Sequence, residues 1–415
     1  MKKNSAKLAV LVLLLIGAIS SCFAQQNSSN NLFDKMEIAW QTIWTKFYSS
    51  ETKLFYDFIE SYETGHELDH LPTEAEVQEQ NPNECGYGTA MEDCMISAGV
   101  LLSMVIDRYA VTQDESLKTA ARDIFEGIEL CATVHGASGF IARGVSPKAP
   151  KLVYINSSRD QVTHAVYSLW EYYHSSLADD EVKPRIRKLL SEVADRMIRN
   201  VIPENNYDFL CVDGTPCRRG ICKMYNVMGH EAARLPMIYA AAWDATGKTL
   251  YFDQYRKYIN EAVDMSLNLE KNTPSVTTYG LLQMQLSLNL LLQLETENEL
   301  KDSIRQAMQI VCRIASERSA GVLETMKTRD LTEVAPNWRK AGGLNGEYRK
   351  TWYAVREAGE LALIQLLATE NRSFDEKQKS ILIDSLLMPD YKKISTCGVY
   401  DLLGAYWKAR RLDVL

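Results

Sequence analysis

Apolar residues recur at helical spacing along almost the whole chain, and the links between helical segments alternate between short and long. Cap and breaker signals predict about twelve helices, near 31–48, 89–111, 115–133, 158–176, 182–200, 229–246, 249–268, 276–296, 299–317, 348–369, 374–388 and 398–412. Stretches such as "RYAVTQDESLKTAARDIF", "AWDATGKTLYFDQYRKYI" and "LATENRSFDEKQKSIL" end one helix, turn within a few polar residues and begin the next. The opposite connections, 49–88, 134–157, 201–228 and 318–347, are long and irregular. Hairpins with short turns at one end and long loops at the other describe an (α/α)6 toroid, an all-α single domain. The apolar, small-residue-rich member of each pair belongs to the inner ring: 89–111, 158–176, 230–246, 276–296, 349–369 and 398–412. Partners such as "DEVKPRIRKLLSEVADRMIRN" carry charge along one face and belong outside.

In a toroid of this kind the long loops and the starts of the inner helices share one rim, so polar residues there converge on a single cavity. The inner-helix starts are oddly polar. The first, "YGTAMEDC", places Glu92 and Asp93 near its first turns; the second carries Arg159, Asp160 and His164. The third, "NVMGHEAARLP", carries His230, Glu231 and Arg234, and the fourth begins at Tyr279. The fifth, "EYRKTWYAVRE", contributes Tyr348, Arg349, Trp352 and Arg356, and the last carries Tyr400 and Asp401. Capping and the helix dipole are sufficient reason for the acids. Arginine at a helix start is opposed by the dipole, so Arg159, Arg234 and Arg349 need anionic partners, from neighbouring carboxylates or from a ligand. Trp352, Tyr279, Tyr348 and Tyr400 offer flat apolar surfaces with polar edges, the usual lining of a sugar subsite, with core packing as the alternative.

Two carboxylates on adjacent inner helices suit acid and base work on a glycosidic or enol-ether bond, one kept protonated and the other ionised. Asp93 and Asp160 are the best such pair, with Glu92 and Glu231 as substitutes. His164 shares a helical face with Asp160 and is placed to tune or orient it.

Composition sets the remaining bounds. A net charge of -8 lacks the basic footprint of a nucleic-acid binder, though local arginines can still attract an acidic ligand. Lys2, Lys3 and Lys7 precede the apolar run Leu8 to Ile19, which reads as a secretory signal over 1–24. Ile19-Ser20-Ser21-Cys22 resembles a relaxed lipobox, with Cys22 lipidated; Cys22-Phe23-Ala24 offers a small-x-small cleavage site instead. Residues 25–30 form a polar tether before a catalytic domain over 31–415, and the expected location is periplasmic or outer-membrane in a Gram-negative bacterium. Cys211, Cys217 and Cys222 are the dense cysteine cluster; bridging within that loop is the plain expectation, and their spacing matches no common zinc template. Cys94, Cys131 and Cys312 read as buried small hydrophobes.

The toroid with these polar helix starts resembles the six-hairpin glycosidases. It is similar in size and layout to the unsaturated glucuronyl and rhamnogalacturonyl hydrolases, glycoside hydrolase families 88 and 105, over essentially the whole mature chain. In those families acidic residues at inner-helix starts protonate and hydrate the double bond of a C4–C5 unsaturated uronic acid. "AMEDC" and "SRDQVTH" put Asp93 and Asp160 in comparable places. The chain also resembles glucuronidase-like secreted proteins of gut Bacteroidetes. A further architectural relative is the zinc-dependent arabinofuranosidase type, which the cysteine cluster invites although the dense Cys-Cys motif is missing.

The expectation is a glycoside hydrolase acting at the non-reducing end of an acidic oligosaccharide, without metal or organic cofactor. Arg159, Arg349, Arg356 and Arg143 are its candidate clamp for a uronic-acid carboxylate. Two rivals use the same rim: a surface glycan-binding lipoprotein, and a sugar epimerase leaning on His164 and His230 as paired bases.

Overall fold

Local signals start and stop the helices where side chains can take up the orphan backbone groups. Ser158, Thr277 and Asp375 each accept a backbone N–H from their own helix's first turn, and Gln113 and Gly247 end two helices in the left-handed conformation. A computed structural model describes residues 31–269, 276–341, 346–368 and 375–415. The signal and tether expected over 1–30 lie outside the described residues.

The helices, in chain order, are α1 (31–42), continued by a π-turn at Ile43–Phe47, α2 (Glu74–Gln78), α3 (Cys94–Thr112), α4 (Leu117–Thr133), α5 (Arg159–His174) and α6 (Val182–Asn200). There follow α7 (Gly229–Ala232), α8 (Arg234–Thr246), α9 (Thr249–Leu267), α10 (Thr278–Leu294), α11 (Asn298–Lys327), α12 (Trp338–Ala341), α13 (Gly346–Leu367), α14 (Glu376–Leu387) and α15 (Gly398–Arg411). Among the described residues the named strands are β1 (Tyr48–Ser49) and β2 (Leu54–Phe55), an antiparallel pair.

Six helices close a ring: α3 packs on α5, α5 on α8, α8 on α10, α10 on α13, α13 on α15, and α15 on α3. These are the six segments expected inside. Helix α10 buries nearly every residue from Thr278 to Leu292, as a helix surrounded on all sides must. Around the ring lie α4, α6, α9, α11 and α14, each against an inner neighbour. Helix α6 buries Val182, Ile186, Leu189, Val193 and Met197, a stripe at helical spacing, and leaves its charged face to water. The sixth outer position falls to α1, which Glu37 ties to Arg108 of α3 and Phe33 sets edge-on to Trp407 of α15. The first and last helices of the described residues thus complete the toroid.

The structure corrects several boundaries. Helix α3 begins at Cys94 rather than 89, so Glu92 and Asp93 belong to the loop entering it. The third inner helix is broken at Ala233, because Pro236 lacks the N–H that would bind the carbonyl of Ala232. Helix α11 runs ten residues beyond the expected 317, carried by the buried Ser319, Leu323 and Met326. Cys312 is half-buried, whereas Cys94 and Cys131 are fully buried. Helix α3 is long and apolar enough to span a bilayer, but here it is a largely buried wall of the ring.

Close helix contact depends on Gly359 of α13. A Cβ there would lie 2.3 Å from the carbonyl carbon of Asp401 and 2.5 Å from the nitrogen of Leu402 on α15. Gly359→Ala is therefore expected to destabilise the fold by about 1–3 kcal/mol. Gly321 on α11 has open space around its Cβ position, so Gly321→Ala should instead stabilise by about 0.5–1 kcal/mol. Denaturant unfolding of the two variants checks both signs.

Candidate active site

The irregular segments before α3, α5 and α7, with the first turns of α5, α8, α10, α13 and α15, carry the polar rim. At its centre is a guanidinium among carboxylates. Arg356 on α13 donates from Nε to Glu360 Oε1 at 2.7 Å and from an Nη to Asp93 Oδ2 at 2.7 Å. Asp93 Oδ1 accepts from Gln161 Nε2 at 3.1 Å, and its backbone N–H donates to Asp57 Oδ2 at 2.9 Å. Asp57, Glu92, Glu360 and Asp401 are all buried.

Arg356, with Arg143 beside Asp93 and Arg349 beside Glu92, is outnumbered by these enclosed acids, so protons are retained. Burial, followed by the charges of Asp93 and Glu92, pushes Asp57 well above the carboxylate range. Burial and then Asp93 push Glu92 up to about 7. Burial lifts Glu360 to about 7 against the pull of Arg356, and burial with Glu360 pushes Asp401 well up. Glu92 accepts the Gly88 N–H, and Arg349, with 45% of its side chain exposed, stands 3.8 Å from Glu92 Oε1.

A second group lies at the starts of α5 and α8. Asp160 pairs with the buried Arg234, while Arg159 donates from Nε to Glu231 Oε1 at 2.6 Å and binds the carbonyls of Gly220 and Lys223. The arginines opposed by a helix dipole thus take carboxylate partners from the protein itself. Burial alone would raise Asp160, but Arg234 and Arg159 outweigh it and hold the carboxyl below its ordinary value. Its side chain keeps 27% of its surface open. Burial, with Arg356, pushes His164 down to about 3, and burial also lowers His230. His230 Nδ1 is enclosed without a partner. Asp160 Oδ1 accepts its bond from Arg234 rather than from His164.

Arg143 joins the two groups. It donates to the Glu92 carbonyl at 2.8 Å, to the Tyr87 hydroxyl at 3.2 Å and to the Ser157 carbonyl at 3.2 Å, and Asp93 and Asp160 both contribute to its field. Gln161 Nε2 likewise bridges from α5 to the Glu92 carbonyl at 2.9 Å.

The rim therefore gathers Glu92, Asp93, Arg143, Arg159, Asp160, His164, His230, Glu231, Arg349 and Arg356. Tyr279 joins them, half-buried, with the Arg356 guanidinium 5.7 Å from its ring centre. Three expected aromatics are enclosed instead. Tyr348 binds Ser395, Trp352 donates to Cys397 Sγ at 3.0 Å, and Tyr400 donates to the Tyr56 carbonyl at 2.8 Å. Their rings meet Phe47, Phe55 and Phe58 in the segments that follow α1, a placement that helical period alone does not distinguish from the rim. The four-arginine clamp also changes: Arg143, Arg159 and Arg356 are committed to internal acceptors, and Arg349 is the exposed cation. Sequence reasoning missed Asp57, Glu360, Gln161, Tyr87 and Tyr353, whose half-buried ring lies beside Arg349. The i,i+4 spacing of Arg356 and Glu360 was a readable signal for that pair; Asp57, in a loop, had none.

Among the described residues no group of three or more His, Cys, Asp or Glu is arranged to hold a metal. Cys211, Cys217 and Cys222 are buried and not joined by a disulfide, with Cys211 Sγ 3.2 Å from Asn156 Oδ1.

No protein-family model and no curated protein matches the chain. Solved structures do. A sugar epimerase from a ruminal bacterium superposes with a TM-score of 0.51 at 12% identity, over 90% of this chain and 98% of that one. A cellobiose 2-epimerase from Spirochaeta thermophila gives 0.48 at 12%, over 92% and 98%. An alpha-1,6-mannanase from Salegentibacter sp. gives 0.35 at 16%, over 81% and 99%. The class defined is an (α/α)6 toroid of the kind found among sugar-processing enzymes. At these identities the likeness is one of fold, and the chemistry rests on this chain's own residues.

Proposed function

We propose that the rim is the active site of a glycoside hydrolase acting on acidic oligosaccharides. The observation that carries the reading is that Arg143 links two residues with carboxyls in opposite settings: Glu92 is enclosed and pushed up to about 7, whereas Asp160 is paired with Arg234 and held below its ordinary value. Such a split assigns acid and base. Glu92 donates its proton to the glycosidic oxygen as the C–O bond breaks, and Asp160 takes a proton from the water that adds to the anomeric carbon. Arg349, half-exposed beside Glu92, is the cation available to a substrate carboxylate. Tyr279 and Tyr353 supply ring faces at the same mouth.

The sign of each shift predicts a pH profile. Glu92 must be protonated, so turnover falls as pH rises through about 7. Asp160 must be ionised, so the acid limb lies below the ordinary aspartate range. The test measures new reducing ends from uronic-acid oligosaccharides against pH for the wild type and Glu92→Gln. The variant should lose most turnover, and its residual activity should lack the alkaline limb. An alkaline limb that survives Glu92→Gln removes Glu92 as the acid.

A second reading, sugar epimerisation, draws on the two histidines, which both lie beside Asp160 and Arg234 and are both kept neutral by burial. It predicts a change of sugar stereochemistry by NMR without chain cleavage, lost in His164→Gln and His230→Gln.

A further inference from the structure

The toroid has a second polar mouth, opposite the rim, where the inner helices end. A cavity of about 370 Å³ opens there between the last turns of α5, α10 and α15, within the usual size of small-ligand pockets. It is lined by Trp170 and Glu171 of α5, Asn289 and Gln293 of α10, and Lys408 and Arg411 of α15. A narrower axial cavity, apolar at its waist, shares Glu171 and Lys408 with this mouth and ends at His164 beneath the rim.

We infer that this pocket is a binding site for a neutral hexose unit, separate from the catalytic rim. Its charges are already balanced. Lys408 Nζ lies 2.9 Å from Asp107 Oδ2, and Arg411 lies 2.8 Å from Asp107 Oδ1, with Glu171 3.8 Å from Lys408. Two cations facing two carboxylates leave no net field for an anion. What remains is hydrogen bonding: amides at Asn289 and Gln293, joined at 2.8 Å, and the Tyr167 hydroxyl between Asn289 and Glu171. Glu171 Oε1 is engaged by that hydroxyl, and the Glu171 carboxylate lines the mouth as an acceptor for an O–H donor. The indole of Trp170, held by its bond to Asp244, completes a lining of amide, carboxylate and aromatic groups suited to a polyol ring.

The test is calorimetric titration of the full chain with D-glucose, D-galactose, D-mannose and, separately, D-glucuronate. At least one neutral hexose should bind in the millimolar range. Gln293 is exposed at the mouth, so Gln293→Trp should block the pocket without unfolding the protein. It should abolish the binding heat and leave both melting temperature and rim turnover unchanged. Glu171→Gln should weaken binding by about tenfold. The inference is overturned if no neutral hexose binds, if binding survives Gln293→Trp, or if glucuronate binds more tightly than the hexoses and is lost in the same variant.

Discussion

Asp160→Asn is expected to lower kcat on uronic-acid oligosaccharides by about 10²–10⁴-fold while the protein stays folded. The substitution keeps shape and an oxygen acceptor for Arg234, so the geometry of α5 against α8 survives. What it removes is the charge that Arg234 and Arg159 hold in place, and with it the base. KM should change much less than kcat, because the loss falls on the transition state. Circular dichroism and a melting curve establish folding; single-turnover kinetics establish the chemical step. Unchanged kcat in a folded variant takes Asp160 out of the mechanism. Unchanged epimer formation in Asp160→Asn, with loss in His164→Gln, would move the assignment to the histidine pair.

Arg356→Met should be the most damaging single change to stability at the site, at about 3–5 kcal/mol. Both its partners are acidic and lie in the buried rim: Glu360 is almost fully enclosed, and Asp93 is largely covered. Methionine fills much of the volume but leaves those carboxylates without their cation. The deficit carries a pH signature. The pKa of Glu360 is raised in the folded state to about 7 from an ordinary 4.5. A carboxyl with a raised folded pKa gives its full contribution below its unfolded pKa, and that contribution is lost as pH rises through the folded one. Without Arg356 the folded pKa rises further, so the variant should lose more ground to wild type at about pH 8 than at about pH 5. Urea unfolding at the two pH values measures this. A deficit independent of pH would show that packing, rather than charge, is what Arg356 supplies. Arg356→Lys should recover part of the stability, because a single ammonium cannot reach two carboxylates as a planar fork does.

The ring itself was legible because its signals are local. Helical period, the Ser158 and Thr277 caps, and the alternation of turns with loops each depend on residues within a few positions of one another. The need for carboxylates beside Arg159, Arg234 and Arg349 was also readable, since a dipole opposes a cation wherever a helix begins. Which carboxylates would answer was not. Asp93 meets Arg356 across 263 positions, and Arg234 meets Asp160 across 74. Glu92 and Asp93 are adjacent in sequence, yet Arg356 and Gln161 hold Asp93 while burial raises Glu92. Nothing local separates the two. Tyr348, Trp352 and Tyr400 share the helix starts of the rim residues but turn onto Phe47, Phe55 and Phe58, a matter of rotation about each helix axis that packing alone decides.

By itself, then, the chain determines the twelve main helices found among the described residues, in pairs with a polar rim, because those features arise from neighbouring residues. The tertiary structure alone decides which acid keeps its proton, which arginine remains open to a ligand, and that a second polar mouth exists. Protonation depends on burial and on charges brought in from distant helices. Neither quantity exists until the ring has closed.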